Sequence, residues 1–143
     1  VVPTLLDLMG QQFPAHLEGK SRRPLLESEN ARAGDDVFIE WNGPNNGLGD
    51  VKGGVSLPEW MMQIADPDRI RAATTDPVRT VITPDGWKFN CSPLGEHELY
   101  NLLQDPFETR NIFRENRKMA DELRSSILKW QERTGDAVEL PEL

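Results

Sequence analysis

The 143-residue chain contains one cysteine, two histidines and no long apolar run. A single cysteine excludes an intrachain disulfide and a cysteine-based zinc cluster. His16 and His97 are far apart and have no ligand spacing around them, so we expect both to be surface residues and not metal ligands. No apolar stretch approaches the ~20 residues of a membrane span, and no segment has the pattern of a signal peptide. The sequence therefore predicts neither a metal site nor a span.

Acidic residues outnumber basic ones, 24 to 16. The net charge is −8, and the short pair Arg22-Arg23 is too small to form a basic patch. Nucleic acid is therefore not expected as a partner, because phosphates need a stripe of positive charge to neutralise them. The length suits one domain with a modest core.

The stretch 77–111 organises the chain. It contains two strand-like runs, Val78–Thr83 and Trp87–Asn90, joined around Asp85-Gly86. Asp-Gly between apolar runs is a strong hairpin signal, because glycine adopts the positive φ that such a turn needs. A third run, Glu98–Leu103, ends where Pro106 forces a turn. These runs predict three antiparallel strands.

Two further segments complete the predicted fold. Asp36–Trp41 is rich in β-branched and aromatic residues and is expected to be another strand. Asn116–Thr134 is the clearest helix, with Gly135 as its C-terminal stop. Its apolar residues share one face at helical spacing: Met119, Leu123, Ile127 and Trp130. We therefore predict an α+β fold, in which a small antiparallel sheet of about four strands packs against a C-terminal amphipathic helix.

The remaining segments give weaker expectations. A short helix is expected over Val1–Gly10, and Leu57–Ala65 is expected to be a helical turn or an apolar lid in which Trp60 is packed. Asp35-Asp36 is interpreted as a solvated turn that leads into a strand. The acidic tail Asp136–Leu143 is expected to lie over the surface or to fray.

The motifs of the organising stretch carry a family resemblance. Arg79-Thr80-Val81, Trp87-Lys88-Phe89, Glu98–Leu102 and Asp105–Asn111 resemble, in this order, the C-terminal subdomain of sulfatases. That family reads roughly R-x-x-R-T, then W/Y-K-Y/F, then E-L-Y-D-L-x-x-D-P-x-E-x-x-N. The arylsulfatase and N-sulphoglucosamine sulphohydrolase branch of the alkaline-phosphatase superfamily is the most similar. Asn101 and Phe107 depart from the pattern.

The resemblance extends upstream and implies a domain division. Pro3–Gly10 and Gly19–Leu26 resemble the family segments P-T-L-L-D-L-x-G and G-x-S-L-x-P-L-L. Residues 1–34 would then be a remnant edge of the catalytic α/β domain, and residues 35–143 would be the sulfatase C-terminal subdomain. The start of the chain looks cut within the larger protein.

The catalytic motif of sulfatases is C-x-P-S-R, whose cysteine becomes formylglycine. Cys91-Ser92-Pro93 matches its first three positions, but Leu94 and Gly95 replace the serine and arginine. Cys91 is therefore interpreted as a residue at the end of a strand. The resemblance implies that this chain holds no catalytic residue and no metal ligand. Calcium and formylglycine, the cofactors of the parent family, would lie upstream of Val1.

Three residues are candidates for substrate binding. The resemblance implies that the strand over Asp36–Trp41 delivers Glu40, Trp41 and Asn42 to the border of the active-site cleft. An indole can stack on a sugar, and an amide both donates and accepts hydrogen bonds. A packed Trp41 remains the structural alternative. The loop 42–54 is either a flexible surface segment or part of the substrate-facing site.

The function implied for the parent is hydrolysis of sulfate esters or sulfamates, with sugars as the expected substrates. This chain alone would be inactive. The expected partners are the catalytic sulfatase domain in cis and a sulfated saccharide. An alternative remains open, a free-standing binding or scaffolding module that kept the fold. Members of the family are often exported, periplasmic or lysosomal, and the sequence leaves the compartment undetermined.

Overall fold

The computed structural model describes residues 1–17, 19–42 and 59–143. The chain divides into two compact units, Val1–Asp35 and Asp36–Leu143. This division lies one residue after the predicted one. The assignment of the first unit to a catalytic domain stays a prediction. The predicted loop lies outside the described residues from position 43 onward.

The first unit contains two short helices, α1 (Val2–Leu8) and α2 (Arg23–Glu27). A hydrogen bond from Ser21 Oγ to Asp7 Oδ2, 2.6 Å long, links the segment before α2 to α1. Asp35 closes the unit by pairing with Lys20 and with Arg22, whose Nη1 lies 2.9 Å from Asp35 Oδ2. Asp35 lies in a bend just before β1, as predicted, and its partly exposed carboxylate is also paired with two cations.

The second unit is built on a four-stranded sheet. Its strands are β1 (Val37–Glu40), β2 (Arg79–Ile82), β3 (Trp87–Cys91) and β4 (Glu98–Asn101). They lie in the order β1-β2-β3-β4, and every neighbouring pair is antiparallel. The described part of the chain thus confirms the predicted α+β class and the four antiparallel strands.

The turn between β2 and β3 depends on glycine. Gly86 has a φ of +86°, which L side chains rarely adopt. Its N–H donates to Thr83 O at 3.0 Å, and its carbonyl accepts from Leu102 N–H at 2.7 Å. A Cβ added at Gly86 would lie 2.6 Å from Leu103 Cγ. This position therefore requires glycine both for its φ and for the close approach of Leu103.

The described part of the second unit contains three helices: α3 (Glu59–Met62), α4 (Pro67–Thr75) and α5 (Arg117–Thr134). Asp66 caps α4, since its Oδ1 accepts from Asp68 N–H at 2.9 Å. Trp60, on α3, is 57% exposed. The expectation that Trp60 is packed is therefore wrong, because a single helical turn offers an indole too little surface to cover it. Among the described residues, no helix is long and apolar enough to cross a membrane.

The core lies between α5 and one face of the sheet. Phe38, Val81, Phe89 and Leu99 are cross-strand partners on that face. The predicted stripe of α5 meets them: Leu123, Ile127 and Trp130 are buried, and Met119 packs at the edge. The Trp130 ring stacks on Phe38 with the ring centroids 5.4 Å apart. The predicted facing of the helix is therefore confirmed, and burial of each large side chain contributes about 1.5–3 kcal/mol.

The C-terminal tail is held against this core. Asp136 forms a two-pronged ion pair with Arg79, with Oδ1 2.7 Å from Nη2 and Oδ2 2.9 Å from Nε. Arg124 Nε donates to the carbonyl of Pro141 at 2.7 Å. Leu140 and Leu143 pack against the core cluster. The tail therefore does not fray, because residues far away in sequence provide partners for its charge, its carbonyls and its apolar side chains.

Candidate functional site

The candidate binding residues lie at the end of β1. Glu40 is the cross-strand partner of Arg79. The next residue, Trp41, continues the pairing, since its N–H donates to Val78 O at 3.0 Å. Its carbonyl accepts from Arg79 Nη1 at 3.1 Å. The backbone of Trp41 is thus fixed by the same arginine that holds the C-terminal tail.

The side chain of Trp41 lines a cavity of about 450 Å³. The other lining residues are Ala65, Arg69, Ile70, Ala73 and Thr74, all of which lie on or just before α4. Trp41 is 48% exposed, so its ring is presented and not packed. Glu40 and Asn42 are also exposed but do not line this cavity. Of the three candidates, Trp41 thus lines this cavity, and the binding role of all three stays a prediction.

The cavity combines an aromatic wall with one cation. Arg69 also pairs with Glu96, with Nη2 2.8 Å from Oε1, but both side chains are about two-thirds exposed. An exposed ion pair of this kind is worth little, so a ligand anion can compete for the guanidinium. Stacking on the indole and an ion pair to Arg69 together suit a flat ligand that carries an anionic group.

Arg69 and Ile70 were missed by the sequence reasoning. The sequence of 66–75 is polar and charged and is compatible with either a helix or an irregular segment. Its proximity to Trp41 arises only from tertiary packing, and no local signal in the sequence indicates it.

Cys91 is the last residue of β3 and is fully buried in the core. The prediction that it ends a strand is confirmed. Burial raises the pKa of its thiol to about 11. A formylglycine at this position would place a hydrated aldehyde among apolar side chains, so the residues present do not fit that group. Among the described residues, no cluster of three or more His, Cys, Asp and Glu could hold a metal ion.

An Asp-Ser-His cluster lies beside Cys91. Ser92 Oγ lies 2.5 Å from Asp76 Oδ2, and Ser92 N–H donates to His97 Nδ1 at 3.2 Å. In a nucleophilic triad the histidine accepts the proton of the serine hydroxyl. Here the hydroxyl bonds directly to the carboxylate and the imidazole accepts from a backbone amide, and all three residues are buried. The cluster therefore stabilises the turn between β3 and β4 and is not arranged as a nucleophilic triad.

His97 is 9% exposed, so the prediction that it is a surface residue is wrong. Its ring packs against Phe113, with the ring centroids 5.0 Å apart. Burial, followed by the positive charge of Arg117, lowers its pKa from the ordinary value. His16 is exposed, as predicted.

Comparisons with known proteins identify structures with a similar fold. No family model and no curated protein matches the chain. Among solved structures, a 2-O GAG sulfatase aligns with 100% of this chain and 27% of its own, with 24% identity and a TM-score of 0.64. A candidate sulfatase from Bacteroides thetaiotaomicron aligns with 100% of this chain and 26% of its own, with 24% identity and a TM-score of 0.65.

A third structure, solved in complex with its substrate D-glucosamine-2-N,6-O-disulfate, aligns with 94% of this chain and 23% of its own. The identity is 23% and the TM-score 0.60. The chain therefore spans about a quarter of the length of the structures that it matches. The resemblance inferred from the sequence motifs is confirmed at the level of the fold, and this chain has the fold of a part of sulfatases.

Proposed function

We propose that this chain is the C-terminal part of a sulfatase and forms a structural subdomain that borders the active-site cleft. The proposal rests on the agreement of two observations, one from the sequence motifs and one from the fold. The ordered motifs from Arg79 to Asn111 resemble the family, and the fold matches sulfatase structures along the whole chain.

The proposed parent hydrolyses sulfate esters or sulfamates on sugars. Two of the matching structures carry names or ligands that concern sulfated sugars, a 2-O GAG sulfatase and a complex with D-glucosamine-2-N,6-O-disulfate. We propose that the catalytic residues, formylglycine and calcium are supplied by a catalytic domain in cis. The supporting observation is that the C-x-P motif of this chain lies buried at Cys91, in a strand of the core.

The proposed role of this chain in binding rests on Trp41. Its half-exposed indole and the guanidinium of Arg69 line one cavity. A sugar ring can stack on the indole while its sulfate or carboxylate pairs with Arg69. Glu40 and Asn42 would contact the ligand from the rim, since both are exposed beside Trp41.

The test uses the parent enzyme and two substrates, a sulfated saccharide and a small aryl sulfate. Trp41→Ala is expected to raise KM for the saccharide by about tenfold, the loss of roughly 1.4 kcal/mol of binding. The aryl sulfate needs only the sulfate pocket, so its KM should change by less than about twofold. Asn42→Ala should change KM in the same direction.

Trp60→Ala is the matched control, because Trp60 is also an exposed indole but does not line the cavity. It should leave both KM values unchanged. Equal losses with both substrates, or equal effects of the two tryptophan substitutions, would contradict the proposed binding role of Trp41.

A further inference from the structure

A second cavity, of about 420 Å³, is lined by residues of α4, of the β3–β4 turn and of β4. Its apolar lining residues are Ala72, Ala73, Val78 and Leu94, and its charged ones are Arg69, Asp76, Glu96 and Glu98. It shares Arg69 and Ala73 with the cavity at Trp41, so the two cavities are neighbours along α4.

The charged lining residues of this cavity do not balance. Three carboxylates face one guanidinium, and that guanidinium pairs with Glu96 at 2.8 Å. Asp76 and Glu98 form no ion pair with any residue that the structure describes. The local charge is therefore negative, by about that of two carboxylates, and it favours a cationic ligand.

Asp76 has a carboxylate oxygen without a partner. The residue is 5% exposed, and its Oδ2 accepts from the Ser92 hydroxyl at 2.5 Å. Within the described part of the chain, Oδ1 is the buried side-chain atom that has no hydrogen-bond partner. Asp76 lines the cavity and Ser92 does not, so Oδ1 is the oxygen that remains for a ligand there. A buried acceptor without a partner is costly, and a ligand donor would satisfy it.

The C-terminal end of α4 adds to the same negative field. Asp76 is the C-cap of this nine-residue helix, and the last turn of the helix contains no basic residue. The last carbonyl groups of a helix have no partner within it and carry the negative end of the helix dipole. A cation beside Asp76 would therefore be stabilised by the helix end as well as by the carboxylate.

We propose that this cavity binds a primary ammonium group, which donates to Asp76 Oδ1 and lies in the negative field of Glu98 and of the α4 terminus. An ammonium suits the site because it is a compact charge with three donors, and the apolar walls can cover the carbon atoms next to it. A metal ion does not suit it, since the described residues include no cluster of three or more His, Cys, Asp and Glu that could hold one.

The ammonium can belong to an amino sugar or to a lysine side chain of the catalytic domain. An amino sugar would place its charge in this cavity while a neighbouring sugar occupies the cavity at Trp41. Both sources rest on the proposed function, whereas the binding of a free amine does not.

Titration of the full 143-residue chain with D-glucosamine, followed by NMR, tests the inference. Protonated D-glucosamine should shift the amide signals of residues 72–78. N-acetyl-D-glucosamine has the same ring without the charge and should not shift them, nor should sodium chloride at equal ionic strength. Equal shifts with the charged and the neutral sugar would overturn the proposal.

Asp76→Asn should weaken D-glucosamine binding by about tenfold or more, because it removes the charge but keeps an oxygen for the Ser92 hydroxyl. Glu98→Gln should weaken it by about threefold, through the field alone. Asp68→Asn is the matched control, since it removes a charge from the exposed start of α4, and it should change the affinity by less than about twofold.

Thermal melts show whether the variants fold and provide a second readout. D-glucosamine should raise the melting temperature of the native chain and of Asp68→Asn, but not that of Asp76→Asn. If Asp76→Asn does not fold, the comparison of Glu98→Gln with Asp68→Asn decides. Equal affinities of Asp68→Asn and of the variant at the cavity would overturn the proposal.

n-Butylamine, which reproduces the end of a lysine side chain, distinguishes the two sources. Tighter binding of D-glucosamine than of n-butylamine supports an amino sugar, and equal or weaker binding of D-glucosamine supports a lysine. Binding of neither amine would overturn the proposal. None of these outcomes depends on catalysis by the parent, so failure of the proposed function and failure of this site are distinguishable.

Discussion

Replacement of Asp136 by alanine tests the ion pair between Asp136 and Arg79. The Arg79 side chain is 2% exposed and that of Asp136 12%. Two hydrogen bonds, of 2.7 and 2.9 Å, join them. Removal of one partner of a buried pair leaves the other charge uncompensated, which typically costs about 3–5 kcal/mol. Asp136→Ala should therefore lower the free energy of unfolding by roughly this amount.

Asp136→Ala should also affect groups outside the ion pair with Arg79. Gln131 Nε2 donates to Asp136 Oδ2 at 2.6 Å, and Arg79 Nη1 donates to the Trp41 carbonyl at 3.1 Å. Asp136→Ala should thus release the tail and loosen the end of β1 together. Urea unfolding followed by tryptophan fluorescence measures the first effect, and hydrogen exchange at Trp41 N–H measures the second.

The pH dependence provides an independent check. The hydrogen bonds from Arg79 lower the pKa of Asp136 below its ordinary value of 3.8. A carboxylate whose pKa is lower in the folded state stabilises the protein above the unfolded pKa. That stabilisation is lost as the pH falls from about 4 through the folded pKa. Asp136→Asn should remove this part of the pH dependence while preserving the shape of the side chain.

Arg71→Ala is the control for both measurements, because its pair with Asp68 is exposed and should contribute less than about 1 kcal/mol. The reasoning would be refuted if Asp136→Ala and Arg71→Ala had equal unfolding midpoints. It would also be refuted if Asp136→Asn kept the acid sensitivity of the native chain.

Three further predictions concern the core and the turn. Ile127→Asp should lower the free energy of unfolding by several kcal/mol, because it buries a charge between α5 and the sheet. Lys118→Ala, at an exposed position, should have almost no effect, and equal denaturant midpoints of the two variants would contradict the facing of the helix. Gly86→Ala should destabilise the protein by more than about 1 kcal/mol, because of the φ of +86° and the contact with Leu103. Gly34→Ala should not, because nothing lies within 4 Å of a Cβ added there, and thermal melts distinguish the two variants. Cys91 should resist a thiol reagent at pH 8 until the protein unfolds, since burial raises its pKa to about 11; rapid labelling of the folded chain would refute this.

The sequence predicts those elements whose signals are local. The Asp85-Gly86 turn joins two strands because glycine supplies a positive φ, and the spacing from Leu123 to Trp130 identifies the buried face of α5. The antiparallel pairing of β2, β3 and β4 follows from the short connections between them, which favour antiparallel neighbours. The family motifs covered the same region and predicted the same fold.

The errors have a common physical cause, which is that they concern tertiary partners. His97 is buried because Ser92 and Phe113 approach it, and neither approach has a sequence period. The acidic tail lies over the surface, the first of its two expected placements, and the choice between them depends on Arg79, 57 residues earlier, which provides its countercharge. The cavity at Trp41 likewise combines distant segments, so the sequence indicated Trp41 but not Arg69.

Sequencing of the genomic DNA upstream of the Val1 codon tests the central claim most directly. The claim is that this chain is the C-terminal part of a sulfatase, and the matching structures are about four times its length. We predict an open reading frame that continues upstream and encodes C-x-P-S-R before Val1. An in-frame stop codon followed by a start codon at or near Val1 would contradict the claim and would instead support a free-standing module with the same fold.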